Sequence, residues 1–325
     1  MAIQTVLGPI EKRELGFCHA HEHIFLAEGP HTKVNPALRI DDFHKSCQEL
    51  VSFKRVGGKA VVDAQPIGCG RMADALVAAA LQTGVHIVAS TGFHKFINYE
   101  TDHWLFSMDT TSLFELFCQE IRHGMFINAD TQPPLESIDA KAGAIKTAID
   151  EDRMEDSSKK WFEAAAEASV VTGVPIICHT ESAEQGMYLA EFYLKRGVVP
   201  GNIIICHLDR TLVDVNLHRE IASLGVYVEY DTIGRFKYHD DVGEARLIAQ
   251  MIEWGFERSI LMGLDTTRER LKSYGGNIGL GYIVQKFIPL MRSLGIPDKP
   301  IRRMVVENPA EAFSVKLGAE RVEVF

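Results

Sequence analysis

The sequence predicts a (β/α)8 barrel, and three observations carry the prediction. Eight short apolar runs recur along the 325 residues. A longer amphipathic stretch follows each run, and the glycine-rich first turn usual in a doubly wound sheet is missing after the first one. The runs are rich in Val and Ile and nearly continuously apolar, as parallel strands buried on both faces require.

In order, the runs are "GFCHAHEHI" (16–24), "KAVVDAQ" (59–65), "VHIVASTGF" (85–93), "AGAIKTAI" (142–149), "VPIICHTE" (174–181), "NIIICHLD" (202–209), "VYVEYDTI" (226–233) and "SILMGLDT" (259–266). The helices are expected at 41–55, 72–83, 111–123, 158–172, 184–196, 212–224, 241–254 and 280–294. Gly57, Gly84, Gly124, Gly173, Gly197, Gly225, Gly255 and Gly295 sit where helices end, the position at which a left-handed cap favours glycine. No Pro/Gly/Ser linker or composition shift divides the chain, so residues 1–325 are expected to form a single barrel domain.

Composition narrows the function. Apolar residues make up 46% and the net charge is −10 with no long run of either sign, which argues against nucleic acid as a partner. The six cysteines, Cys18, Cys47, Cys69, Cys118, Cys178 and Cys206, form no CxxC pair and are expected to be free thiols. Neither a secretory leader nor an apolar run near the roughly 18 residues of a membrane span is visible. The expectation is a soluble, cytoplasmic protein with a small-molecule substrate and no membrane partner.

In a barrel of this kind the chemistry lies at the C-terminal ends of the strands, and the polar residues gather there. The first run ends in His21 and His23, the fourth in Lys146, the fifth in His179, the sixth in His207 and the eighth in Asp265. Three imidazole-bearing strands, a carboxylate and a lysine converging on one mouth describe a metal site. His21 and His23, two apart on a strand, share the inner face, while Glu22 points away. His19 should share that face ~6–7 Å deeper, as a core or supporting histidine. Cys178 and Cys206 should alternate outward, toward the helices.

"HEH" closing the first run, "KAGAIK", "ICHT", "ICHLD" and "MGLDTTR" (262–268) resemble the phosphotriesterase family of the amidohydrolase superfamily. The likeness runs in order over about residues 7–313 and ends in a helix opening at "ENPAEAF" (307–313). The resemblance implies a metal-dependent hydrolase with two divalent ions, usually Zn2+, with Mn2+ or Co2+ as alternatives. Carried over by position, His21, His23 and Asp265 would bind the buried ion and His179 and His207 the exposed one. Lys146, carboxylated by CO2, would bridge them. A hydroxide shared by the two ions would attack an ester, lactone or phosphoryl centre, with Asp265 as the catalytic proton acceptor. The resemblance also allows a homodimer, for which the sequence offers no apolar stripe.

Two readings of another class compete. A lysine ending a barrel strand is where Schiff-base lyases place their nucleophile, but that leaves four histidines and Asp265 without a common purpose. An inactive binding barrel would not need every ligand position filled.

The loops speak to the substrate. "DTIGRFKYHDD" carries Arg235, Lys237 and Tyr238, and "DTTRERLKSYGG" carries Arg268, Arg270, Lys272 and Tyr274; two basic clusters on adjacent loops suit an anionic group, with Lys237 and Arg268 the expected substrate contacts. Arg270 and Lys272 are read instead as solvated loop cations. His94, in "TGFHK", is placed to touch the substrate. These features favour a small anionic lactone, plausibly a phosphorylated sugar lactone, over a phosphotriester, and over a carboxylester or amide.

Overall fold

The computed structural model describes residues 2–150, 154 and 156–317. Eight parallel strands follow one another in chain order around a single sheet: β1 (Cys18–Glu22), β2 (Ala60–Asp63), β3 (His86–Gly92), β4 (Ala144–Ala148), β5 (Ile176–His179), β6 (Ile203–Ile205), β7 (Tyr227–Tyr230) and β8 (Ile260–Met262). Closure between β8 and β1 runs through the Asp265 N–H, which donates to the His21 carbonyl at 3.1 Å. Gly263 makes this approach feasible, since a Cβ there would lie 2.8 Å from the His21 carbonyl oxygen. The sheet is therefore the expected barrel, with one chain-order neighbour on each side of every strand.

The helices fall where the amphipathic stretches lie: α1 (Phe43–Arg55), α2 (Ala73–Thr83), α3 (Thr110–Arg122), α4 (Asp156–Thr172), α5 (Ala183–Lys195), α6 (Val215–Ser223), α7 (Asp241–Glu253) and, after a wider turn at Ile283–Phe287, α8 (Ile288–Ser293). Their starts have a local cause. The Asp42, Asp109 and Asp240 carboxylates accept from the Lys45, Ser112 and Gly243 amides at 3.1, 2.8 and 2.7 Å, satisfying donors that a helix end leaves orphaned. All eight predicted terminal glycines have positive φ.

Inside the barrel, Cys18, Ala20, Ala60, Val62, Val88, Ala144, Ile177, Ile204, Cys206 and Leu261 form one buried cluster. Alanines on β1, β2 and β4 face larger side chains on β5, β6 and β8, which lets the layers interdigitate. The floor is closed by a hairpin that the apolar pattern does not announce, Ala2–Thr5 paired antiparallel with Gly8–Glu11. It is tied to β3 by the Val6 amide donating to the Ile87 carbonyl at 2.9 Å. No described helix is long and apolar enough to cross a membrane, and all six cysteines are free and buried.

Two expectations about direction fail, each for a backbone reason. The β1–β2 register shifts between His19 and Glu22, and such a bulge breaks the alternation. His19 is thereby turned outward, its ring 4.6 Å from that of Phe53 on α1 and its Nδ1 2.7 Å from Glu22. Cys206 points into the barrel with Ile204 rather than toward the helices. His207, the next residue, would then face outward, but φ of 63° swings it back to the mouth. Cys178 does face the helix layer, as expected.

Candidate metal centre

The C-terminal mouth gathers imidazoles into a contiguous row. Ring centroids lie 5.5 Å apart for His94–His179, 4.4 Å for His179–His207, 4.8 Å for His207–His21 and 5.8 Å for His21–His23. The fully buried Lys146 enters from β4, its Nζ 3.1 Å from His21 Nε2. Gly92 on β3 lets that strand pass: its φ is 99°, and a Cβ would meet the Lys146 carbonyl at 2.0 Å. Asp265 closes the group, Oδ1 lying 3.5 Å from His23 Nε2. All six candidate ligands are thus brought to one place.

Carboxylates behind the row orient it. Asp231 accepts from the His207 Nδ1 side at 2.7 Å and from the His207 amide at 3.2 Å; this double hold supports a left-handed conformation that a non-glycine residue seldom adopts. Glu229 lies 2.9 Å from His21 Nδ1, and Glu181 lies 3.0 Å from His179 Nε2. With these N–H groups directed at carboxylates, His179 Nδ1 and His207 Nε2 face one another as lone pairs at 2.7 Å. Only a shared proton or a cation satisfies that geometry.

The electrostatics point the same way. Burial lowers His179 to about 3 and holds His21, His94 and His207 well below the usual histidine range, so all four are neutral donors at pH 7. Burial also lifts Glu229 to about 8 and Asp231 well above its ordinary value. Lys146 pairs with no carboxylate among the described residues. Buried acids lacking compensation beside a lysine lacking a counter-ion describe a site that divalent cations and a lysine carbamate would neutralise.

The sequence profile of the Phosphotriesterase family matches residues 1–313. The chain belongs to that family. A phospho-furanose lactonase of Mycoplasmopsis synoviae is 29% identical over 99% of this chain and 94% of its own length. An N-acetyltaurine hydrolase of Rattus norvegicus is 27% identical over 97% of this chain and 98% of its own. Among solved structures, a lactonase of Listeria monocytogenes superposes with a TM-score of 0.88 at 27% identity, over 97% of this chain and all of that one. Phosphotriesterase-family barrels are binuclear and metal-dependent, and this chain is a hydrolase of that kind.

The donor set fits two such ions. His21, His23 and Asp265 offer ligand atoms within 4.8 Å of one another, and the facing nitrogens of His179 and His207 could hold a second ion. The substrate candidates are less united. His94 Nδ1 accepts from the Lys95 amide at 2.7 Å and from Asn98 Nδ2 at 2.8 Å, which leaves the proton on Nε2, free to donate. Lys237 is exposed, its Nζ 4.6 Å from the centre of the Tyr238 ring. Arg268 lies over Tyr274 at 5.6 Å. Arg270 is not the solvated cation expected: it is buried and donates to the Ile233 carbonyl at 2.6 Å and to that of Leu264. Lys272 is exposed, as expected.

Four site residues are absent from the sequence expectations, Glu181, Arg210, Glu229 and Asp231, and a fifth, the loop cation Arg235, is turned onto Asp265 rather than left for an anionic substrate. Arg210 pairs with Glu181, which also binds Lys95. Arg235 Nη1 lies 2.9 Å from Asp265 Oδ2. The two acids on β7 were legible in principle, because Glu229 and Asp231 are two apart in an otherwise buried run and must share its inner face. Asp231→Asn removes the carboxyl group that orients His207, and metal affinity should fall about 10–100-fold. Competition with a chromogenic chelator measures it; an unchanged affinity would deny Asp231 this role.

Proposed function

We propose that the chain is a binuclear lactonase that opens a small anionic lactone, a phosphorylated sugar lactone. One observation carries the reading: two imidazole nitrogens facing at 2.7 Å beside a buried lysine. In this reading His21, His23 and Asp265 hold one ion, His179 and His207 the other, and carboxylated Lys146 lies between. Zn2+ is the ion proposed, with Mn2+ or Co2+ able to replace it. When bound, the ions would supply water acidified toward neutral pH and an electrophile for the carbonyl oxygen.

The chain's own residues do the rest. Asp265 is anionic at neutral pH and can accept a proton, while Arg235 fixes its carboxylate. The His94 Nε2–H would donate to a substrate oxygen. Lys237 and Arg268 would hold the anionic group from two sides of the mouth, as a point charge and a planar fork. The name of the Mycoplasmopsis synoviae relative supports a furanose lactone bearing phosphate as that substrate.

Initial rates on a phosphorylated five-membered lactone, its unphosphorylated counterpart, N-acetyltaurine and a phosphotriester test the assignment. The phosphorylated lactone should be turned over best, activity should vanish on slow chelation, and zinc, cobalt or manganese should restore it. A preference for N-acetyltaurine or the triester would overturn the substrate reading and keep the centre. Lys237→Ala and Arg268→Ala should each raise KM for the phosphorylated lactone about tenfold, roughly 1.4 kcal/mol, and leave the neutral lactone unchanged. Equal effects on both substrates would sink the anion contact.

A further inference from the structure

A second group of ligand-bearing side chains lies under the β7–α7 loop, apart from the row of imidazoles. Asp209 follows β6, His239 lies near the end of the loop and Glu244 is in the first turn of α7; their ligand atoms lie within 4.8 Å of one another. None of the three has a part in the centre described above.

Their surroundings leave them uncompensated. Glu244 is fully buried, and neither of its oxygens receives a hydrogen bond. Asp209 is as deeply buried; its Oδ2 accepts the Thr232 amide at 2.6 Å, but Oδ1 has no donor. Among the described residues no lysine or arginine pairs with either acid, and the one basic atom in ion-pair range is His239 Nδ1, 3.8 Å from Glu244 Oε2. His239 Nε2 rests 3.1 Å from the Thr232 hydroxyl, and its Nδ1 lies 3.2 Å from the Asp240 carbonyl oxygen. Burial, and then Asp209, hold Glu244 well above the usual carboxylate range.

Two buried carboxyl groups set against each other need a shared proton or a cation. The imidazole favours the cation, because a ring nitrogen beside two carboxylate oxygens is a donor set for a divalent metal. We propose that Asp209, His239 and Glu244 form a divalent-cation site separate from the barrel's centre. The cation ties the loop at residues 232–239 to the barrel rim. That loop carries Arg235, which holds Asp265, so a filled site fixes a group at the mouth without touching substrate.

Crystals soaked in Mn(II) test the proposal by anomalous scattering, alongside solution stoichiometry from the resonance signal of free Mn(II). A peak is expected among the three side chains, about 2.0–2.4 Å from each donor atom. Glu244→Leu, which replaces a buried acid by an apolar group of similar size and should be tolerated, removes that peak and one Mn(II) per chain. His239→Ala, a change nearer the surface, should do the same. No wild-type peak at this position overturns the proposal, whether or not the barrel's centre fills. So does a peak or stoichiometry unchanged in both variants; the acids then share a proton.

Discussion

Lys146→Ala should empty the barrel mouth of metal: about two ions per chain in the wild type should fall to a small fraction in the variant. kcat/KM should fall at least ~10³-fold, equivalent to about 4 kcal/mol of transition-state stabilisation. The reason is positional. Lys146 stands on β4, between His21 on β1 and His179 on the neighbouring strand β5, where β3 has already yielded space at Gly92. Nothing else on β4 can reach the mouth with an oxygen donor. The fold should survive, because removing a fully buried ammonium without a carboxylate partner relieves a desolvation cost while leaving a cavity, two effects of opposite sign. Metal content, kcat/KM and the melting temperature of the metal-stripped protein should therefore separate: the first two collapse and the third moves by a few degrees. A variant that keeps its metal would refute the bridging role. If, in addition, borohydride trapped substrate on the wild type, the lysine would be a Schiff-base nucleophile.

The strands were legible because burial on both faces writes itself as an apolar run, and the six candidate ligands because each interrupts such a run near its end. What the sequence concealed was mostly backbone. His19 was assigned to the interior by strict alternation, yet a bulge before Glu22 sends it against Phe53. His207 reaches the mouth only through a left-handed φ, and the same turn leaves Cys206 inside. Alternation alone cannot foresee either, since both depend on partners distant in sequence: the register with β2 and the Asp231 carboxylate. Glu229 and Asp231 were passed over for a different reason, because a run read as apolar hides its charged members. Arg270 shows the converse error. Its place in a polar loop predicts a solvated cation, whereas three carbonyls, of Leu264, Asp265 and Ile233, surround its guanidinium.

Asp265→Asn should lower kcat/KM about 10³-fold, again roughly 4 kcal/mol, without disturbing the fold. Asp265 has φ of 45°, a region that asparagine tolerates nearly as well as aspartate. The amide oxygen of Asn can still accept from Arg235, and the backbone contacts to His21, Arg235 and Arg270 do not involve the side chain. What is lost is an anion able to ligate and to take a proton. Its protonation also has a sign that can be checked. Burial pushes the Asp265 carboxyl upward, but Arg235 and then His23 outweigh it and hold it well below the ordinary range. A group depressed on folding stabilises the native state above its unfolded pKa, near 3.9, and the contribution disappears as pH falls through the lower folded value. In metal-stripped protein, urea unfolding at pH 7 should therefore find the wild type more stable than Asp265→Asn, with the gap narrowing as pH falls below the unfolded value of about 3.9. Arg235→Ala should reduce the same gap at neutral pH by removing the charge that creates it. If Asp265→Asn retained activity within tenfold of wild type, Asp265 would be neither ligand nor proton acceptor, and its ion pair with Arg235 would be only a tie between the β7 and β8 loops.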